Sequence, residues 1–259
     1  MSGLILPRRR LIARAGGLVA AAGALPLLSG CDAINEAPAV RKILSMGEVM
    51  HQHSQRALTD RDALAREFTR ADLSPVFRSN GTKLPSGGDY AAHAATGFAD
   101  WRIQVTGLVA HPLSLSMAEI RAMPQRTQIT RQDCVEGWSA IGQWTGPQLS
   151  RILAAAGLRD NARYIVFRCA DRIGDALYYE SCDLVDALHP QTIMAWALND
   201  AVLPIANGAP LRLRIERQLG YKHAKYVNAI EAVASLDAIG AGKGGYWEDR
   251  IDYEWYAGI

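Results

Sequence analysis

The sequence is short of cysteine, with four in 259 residues. That is too few for a disulfide-stapled miniprotein, and no Cys/His pairing has zinc-finger spacing. Aromatic residues make up only 7%, yet hydrophobic residues reach 49% and charged ones 21%. This is ordinary globular composition and excludes a disordered tail or a collagen. Internal repeats and low-complexity tracts are lacking. So is an apolar run of bilayer length. The longest, Ala15 to Leu28, covers fourteen residues, or roughly 21 Å of helix against a hydrocarbon core of about 30 Å. Acidic residues are absent from the first 30 positions, which hold Arg8, Arg9, Arg10 and Arg14. Subtracting those four arginines turns 28 basic residues into 24, against 26 acidic ones, so the formal +2 becomes −2. Composition then gives no support to a nucleic-acid partner.

A basic start followed by a short apolar run reads as an export signal rather than a membrane anchor. Arg8-Arg9-Arg10-Leu11-Ile12 resembles the twin-arginine signal, and a general secretory signal is the alternative. Leu28-Ser29-Gly30-Cys31 resembles the lipobox of bacterial lipoproteins, in which the cysteine is acylated; ordinary cleavage near Ala24 is the other reading. Residues 1–30 are thus expected to be a signal peptide and residues 31–42 a tether. A periplasmic protein held to the membrane by lipid on Cys31 follows. Residues 43–259 are expected to form one domain.

Within that domain, Ile43 to Thr69 reads as helix, broken near Thr59-Asp60, with a second helical stretch at Arg61 to Phe68. Ala71 to Ala95 is loop-like. Trp101 to Thr106 alternates apolar and polar residues as a half-buried strand does. Ser116-Met117-Ala118-Glu119 is a capping box for a short helix ending before Pro124. Gln128 to Cys134 reads as a polar strand leading into a loop from Val135 to Thr145. Thr145 then caps a helix that carries Pro147 in its first turn and stops at Gly157. Further strands are expected at Tyr164–Arg168, Leu177–Glu180, Ile193–Leu198, Leu211–Ile215 and Tyr226–Ala234. Strands and short helices alternate irregularly, which makes the class mixed α+β.

Several motifs fail on inspection. Gly240-Ala241-Gly242-Lys243-Gly244-Gly245 matches GxGxxG but stands too close to the C-terminus for a βαβ unit, with no helix expected after it. Gly137-Trp138-Ser139-Ala140-Ile141 misses the nucleophile elbow at its last position. His51 and His53 lie two apart on a helix and so face different ways. Cys169 and Cys182 are either partners across a hairpin turning at Arg172 to Asp175 or two small buried residues. Cys134 ends a strand at a turn, where a soft thiolate suits a metal; a plain structural role is the alternative.

Three ordered blocks shift that balance. Cys134-Val135-Glu136-Gly137-Trp138-Ser139 with Trp144-Thr145-Gly146 is the first. Leu188-His189-Pro190-Gln191-Thr192, Leu203-Pro204 and Asn207-Gly208-Ala209-Pro210-Leu211-Arg212 make the second, and Gly220-Tyr221-Lys222 with Lys225 the third. Together with the C-terminal Trp247 and Trp255 segments, this pattern resembles the sulfite-oxidase-fold molybdoenzymes. It most resembles the bacterial periplasmic branch that includes the catalytic subunit of protein-methionine-sulfoxide reductase.

The resemblance implies a Mo-molybdopterin cofactor with Cys134 as the one protein ligand to molybdenum. It implies cofactor-binding roles for Asn80, Cys169, Asn207, Arg212, His223 and Lys225, with Cys169 standing where the reductase has threonine. Glu136 becomes a candidate for tuning the metal or handling protons. The implied activity is two-electron oxygen-atom transfer, namely reduction of a sulfoxide or N-oxide. Electrons would come from a cytochrome-type carrier, such as a membrane heme b subunit, to a monomer. Sulfite oxidation is the alternative; Glu136 and Gly137 stand where sulfite oxidases place arginines, although Arg131 or Arg168 could serve instead. A non-catalytic lipoprotein keeping the fold, or a thiol-redox module using Cys169 and Cys182, are the other readings.

Overall fold

The computed structural model describes residues 37–86 and 88–259. The expected signal peptide, Cys31 and the first part of the expected tether lie outside the described residues. Two compact units divide the chain, Met1–His51 and Gln52–Ile259. The described part of the first is the opening of helix α1 (Pro38–Leu58). Among the described residues, no helix is long and apolar enough to cross a membrane.

The second unit is a mixed α/β body whose central sheet joins segments far apart in sequence. After helix α2 (Gly88–Ala95) come strands β1 (Arg102–Gly107) and β2 (Leu113–Ser116) and helix α3 (Met117–Ala122). Strands β3 (Gln125–Cys134) and β4 (Trp138–Pro147) follow, then helix α4 (Leu149–Ala156), strands β5 (Tyr164–Ile173) and β6 (Ala176–Asp183) and helix α5 (Leu184–Ala187). The remainder is β7 (Ile193–Ala195), β8 (Ala197–Leu198), β9 (Ala201–Val202), β10 (Arg212–Arg214), β11 (Val227–Val233) and helix α6 (Tyr246–Ile251). The five-stranded sheet runs β2-β1-β11-β5-β6, with β1 and β11 parallel and the other pairs antiparallel. A second sheet runs β3-β4-β8-β9, and β10 pairs with β7.

Side-chain period decides which faces are buried. In β1, Ile103 and Val105 point inward while Arg102, Gln104 and Thr106 are exposed, as alternation demands. In α4, Leu149, Ile152, Leu153 and Ala156 are buried at the i, i+3, i+4, i+7 spacing of one helix face. These faces meet Ile165, Phe167 and Ile230 in one apolar cluster, where each fully buried large side chain is worth about 1.5–3 kcal/mol. The α4 helix ends at Gly157 in the left-handed conformation, with its amide bonded to Leu153 and Ala154 carbonyls. The capping box before α3 forms as expected. Ser116 Oγ accepts the Glu119 amide at 3.2 Å, and Glu119 accepts the Ser116 amide at 2.8 Å.

Four local expectations are corrected. Helix α1 begins at Pro38, inside the expected tether, and no helix forms over Arg61–Phe68. There Gln191 holds Ala65 by both amide (2.7 Å) and carbonyl (3.0 Å), and Phe68 donates to Ile129 of β3 at 2.8 Å. Tertiary partners thus satisfy the backbone of a segment too short to sustain a helix alone. Residues 88–95, read as loop, are helix α2. The expected loop from Val135 to Thr145 is a three-residue turn followed by β4, whose ten residues all pair with β3. Thr145 therefore sits within a strand, and Gln148 is the N-cap of α4.

Two further expectations concern loops and thiols. Helix α6 does follow the glycine-rich stretch, but Asp249 fills the loop itself, accepting the amides of Ala241 and Lys243 at 2.9 Å each. Cys169 and Cys182 are free. Cys182 stands opposite Ile165, four residues along β5 from Cys169. That is about 13 Å at ~3.3 Å per residue, beyond the ~7 Å a disulfide spans. Replacing Ser116 by Ala is expected to cost about 1 kcal/mol through loss of the cap, seen as a lower urea midpoint at unchanged slope.

Candidate active site

A cavity of about 200 Å³ opens where the β3–β4 turn, the loop around Asn80 and the segment before β11 converge. Cys134, Glu136, Asn80, His223 and Lys225 all line it, so five of the residues singled out above are brought together. Asn207, Arg212 and Cys169 are not in its lining.

Cys134 is the last residue of β3, paired with Trp138 across the turn. Gly137, at φ +84°, closes that turn by donating to the Cys134 carbonyl at 3.0 Å. Gly220 backs directly onto the cysteine. A Cβ at Gly220 would lie 3.4 Å from Cys134 Cα and 3.2 Å from Gln132 Nε2, tight enough to press on the hairpin. Burial raises the thiol's pKa, with the Glu136 carboxylate adding to the rise against an opposing Glu136 amide. A bound metal would oppose that rise by displacing the proton. Glu136 itself is exposed at the rim, where its carboxylate accepts the Trp138 indole N–H at 2.8 Å.

Behind the cavity, two guanidiniums are completely buried. Arg212 and Arg214 lie 4.9 and 4.4 Å from the ring centre of Trp144 and share the Gln132 side-chain carbonyl, at 3.3 and 2.6 Å. Glu216 neutralises Arg214 through two bonds, 2.9 and 2.6 Å. Among the described residues no carboxylate pairs with Arg212, which instead donates to the carbonyls of Asn207 (3.0 Å) and His223 (3.4 Å). Burial, then repulsion from Arg214, pulls its pKa down to about 9. Lys225 donates to the carbonyls of Asn80, Thr82 and Ala206, and burial next to Arg212 lowers its pKa to about 7. His223 donates from Nε2 to Gln218 at 3.0 Å. Burial and both arginines hold its pKa well below the ordinary histidine range.

Positive charge is therefore concentrated here without its counter-ions. Arg212 Nε, Asn207 Nδ2 and His223 Nδ1 are all buried with no partner. Each such group costs about 1–3 kcal/mol if left unmet, and Gly208 at φ +111° keeps the backbone between Arg212 and Lys225 free of a side chain. A soft sulfur beside an unbalanced cationic pocket with spare polar atoms fits a metal bound through thiolate together with an anionic organic group. Among the described residues no cluster of three or more His, Cys, Asp or Glu forms a metal site, so a protein-only metal cage is not what this donor set makes.

Residues 91–237 match the oxidoreductase molybdopterin binding domain family. The chain belongs to that family. A provisionally named protein-methionine-sulfoxide reductase subunit, YedZ1, from Azospira oryzae is 35% identical over 236 residues, covering 91% of this chain and 83% of the relative. Among solved structures, the sulfane dehydrogenase SoxCD from Paracoccus pantotrophus is similar, with a TM-score of 0.49 and 20% identity. That match covers 53% of this chain and 39% of that one. The molybdopterin domain makes the protein a molybdenum-dependent oxidoreductase, and the expected mixed α+β architecture with several small sheets is observed.

Several residues of this oxidoreductase's site were not singled out from sequence. Asp171, Tyr178 and Tyr253 line the cavity, as do Tyr221 and Trp247, which stood in the matched segments without an assigned role, and Gln132 bridges the two arginines. Gln132 was findable: Gln128, Thr130, Gln132 and Cys134 share one buried face of β3 by period two. Arg131 and Arg168, weighed as distal cations, pair with Asp133 and Glu231 instead. Cys169 is buried in the apolar cluster, two residues from Asp171 on β5.

Lys222, of the third motif, is not a cavity cation. It is buried between Glu180 and Glu248, the latter at 2.7 Å. Burial and then Glu248 hold the Glu180 carboxyl well above its usual range. Replacing Lys222 by Met strands two buried carboxyls and is expected to cost about 3–5 kcal/mol. Because the folded state then binds protons more tightly than the unfolded one, the deficit should deepen as pH rises above the ordinary glutamate value of about 4.3 and shrink below it. Urea titrations across that range would read it.

Proposed function

We propose that this oxidoreductase reduces sulfoxide or N-oxide groups, with Cys134 as the protein ligand to its molybdenum and electrons delivered by a cytochrome-type carrier. The observation that carries this reading is the lining of the cavity. Among the described residues no arginine lines it, Arg212 and Arg214 lying behind it; its own basic groups are His223, kept neutral, and Lys225, committed to three carbonyls. A dianion such as sulfite has no free cation to meet there, whereas a neutral S- or N-oxide needs none. The relative named as a reductase subunit supports the same direction and a partner subunit.

When bound, the cofactor supplies the two-electron oxygen-atom chemistry and the one-electron steps that link it to a carrier. The chain's own part is to hold and enclose it. Cys134 presents a sulfur fixed by the Gly137 turn and the Gly220 backing. Arg212 and Asn207 offer buried N–H groups to the anionic end, with Lys225 beside them, and the bare ring nitrogen of His223 can only accept a hydrogen bond. Asn80 donates to the Gly220 carbonyl at 3.3 Å and so fixes the loop over the cysteine. Val135, Ile173, Trp247 and Tyr253 give the cavity an apolar wall that favours the carbon substituents of an organic oxide over water.

The export reading belongs to this proposal: a twin-arginine signal in residues 1–30, lipidation at Cys31 and a periplasmic site of action. A thiol-redox role for Cys169 and Cys182 is disfavoured by their separation. Protein made with a pterin supply should contain about one molybdenum per chain, lost in Cys134→Ser but kept in Cys182→Ala. The reduced enzyme should consume sulfoxides or N-oxides and leave sulfite untouched in the reverse assay. Molybdenum-free protein, or sulfite turnover without oxide reduction, would sink the reading.

A further inference from the structure

Reducing an organic oxide consumes protons as well as electrons. The S–O or N–O bond breaks, two electrons arrive from the reduced carrier, and the released oxygen leaves as water after taking two protons. A group lining the cavity can hand over the first of them.

Most are spoken for. Glu136 lies at the exposed rim and accepts from the Trp138 indole. Tyr178 donates to the Tyr221 carbonyl at 2.7 Å, and Tyr221 donates to the Glu254 carbonyl at 2.6 Å. His223 spends its one proton on Gln218, and its other ring nitrogen is bare. All three of the ammonium bonds of Lys225 end on backbone carbonyls.

Asp171 differs. It lies on β5, lines the cavity and is only 3% exposed, with Oδ1 left without a partner. Its carboxylate is hydrogen-bonded by the Thr82 side chain. The charged and titratable groups around it are Lys225, Tyr90, Tyr178, Tyr226 and Cys169. None of the three phenols serves it, since Tyr90 donates to Ala209 and Tyr226 to Thr82. We propose that Asp171 is the proton donor of the oxide reduction, its unpartnered oxygen delivering a proton to the departing oxygen atom and being recharged from solvent. This rests on the reductase reading above. Burial, opposed by Thr82 and Lys225, brings the carboxyl to about 6, which leaves about a tenth of it protonated at pH 7 and more at lower pH, within reach of general-acid work.

The test uses the molybdenum-loaded protein and its Asp171→Asn and Asp171→Glu variants. The asparagine variant should load metal like the parent and keep KM within about twofold, while kcat falls about 100-fold or more, the scale of a lost general acid. In the parent, kcat should decline as pH rises through about 6; that limb should vanish in Asp171→Asn and return in Asp171→Glu with at least about a tenth of the rate. Independently of turnover, infrared difference spectra of the cofactor-free chain should show a protonated carboxyl titrating near 6 and missing from Asp171→Asn. Unchanged kcat and pH limb in Asp171→Asn, or no such carboxyl band, would overturn the assignment of Asp171 while leaving the reductase reading intact. A loaded parent enzyme that reduces no oxide would overturn both.

Discussion

Two buried guanidiniums with one carboxylate between them set the terms for the rest of this molecule. Arg212 and Arg214 stack on Trp144 and share one amide oxygen of Gln132. Glu216 balances one of them only. Like charges held close without water repel, and such an arrangement persists when surrounding groups over-determine it. Here they do: Gln132 is fixed on β3, Glu216 is anchored by Gln128 at 2.9 Å, and the carbonyls of Asn207 and His223 accept from the terminal nitrogens of Arg212, leaving its Nε bare. The strand that carries Gln132 also carries Cys134, so the cationic pocket and the sulfur at the cavity are fixed by one backbone.

That coupling explains how the two small sheets serve the large one. The five-stranded sheet and α4 supply the apolar core, while the β3–β4 ladder and the β10–β7 pair carry the polar apparatus. Close backbone contact joins the layers: a Cβ on Gly146 of β4 would lie 2.0 Å from the Met194 carbonyl of β7. The cavity opens at the other end of that ladder, where the β3–β4 turn meets strand β5 and the segment before β11.

Much of this was legible in the sequence. The Ser116–Glu119 box, the alternation through Ile103 and Val105, and the α4 stripe ending at Gly157 follow from local rules that the tertiary structure does not contradict. The false helix at Arg61–Phe68 and the missed strand β4 share one cause, since each is decided by a partner distant in sequence, Gln191 in one case and β3 in the other. For the site, Cys134, His223 and Lys225 were visible because a family pattern marks them. Asp171 was not, because a lone aspartate in a strand reads as a solvent-facing residue until the cavity behind it is known.

The ten-residue ladder between β3 and β4 also works as a ruler. Side chains reverse direction with every residue along a strand, so Cys134 faces the cavity in one register and the opposite surface in the next. One residue inserted between Gln125 and Cys134 would turn the sulfur outward without touching a single site residue. Two would restore the face yet displace the sulfur by about 7 Å, out of step with Gly220 and Gln132. Chain length in that hairpin is therefore as strictly constrained as the identity of the cysteine at its end.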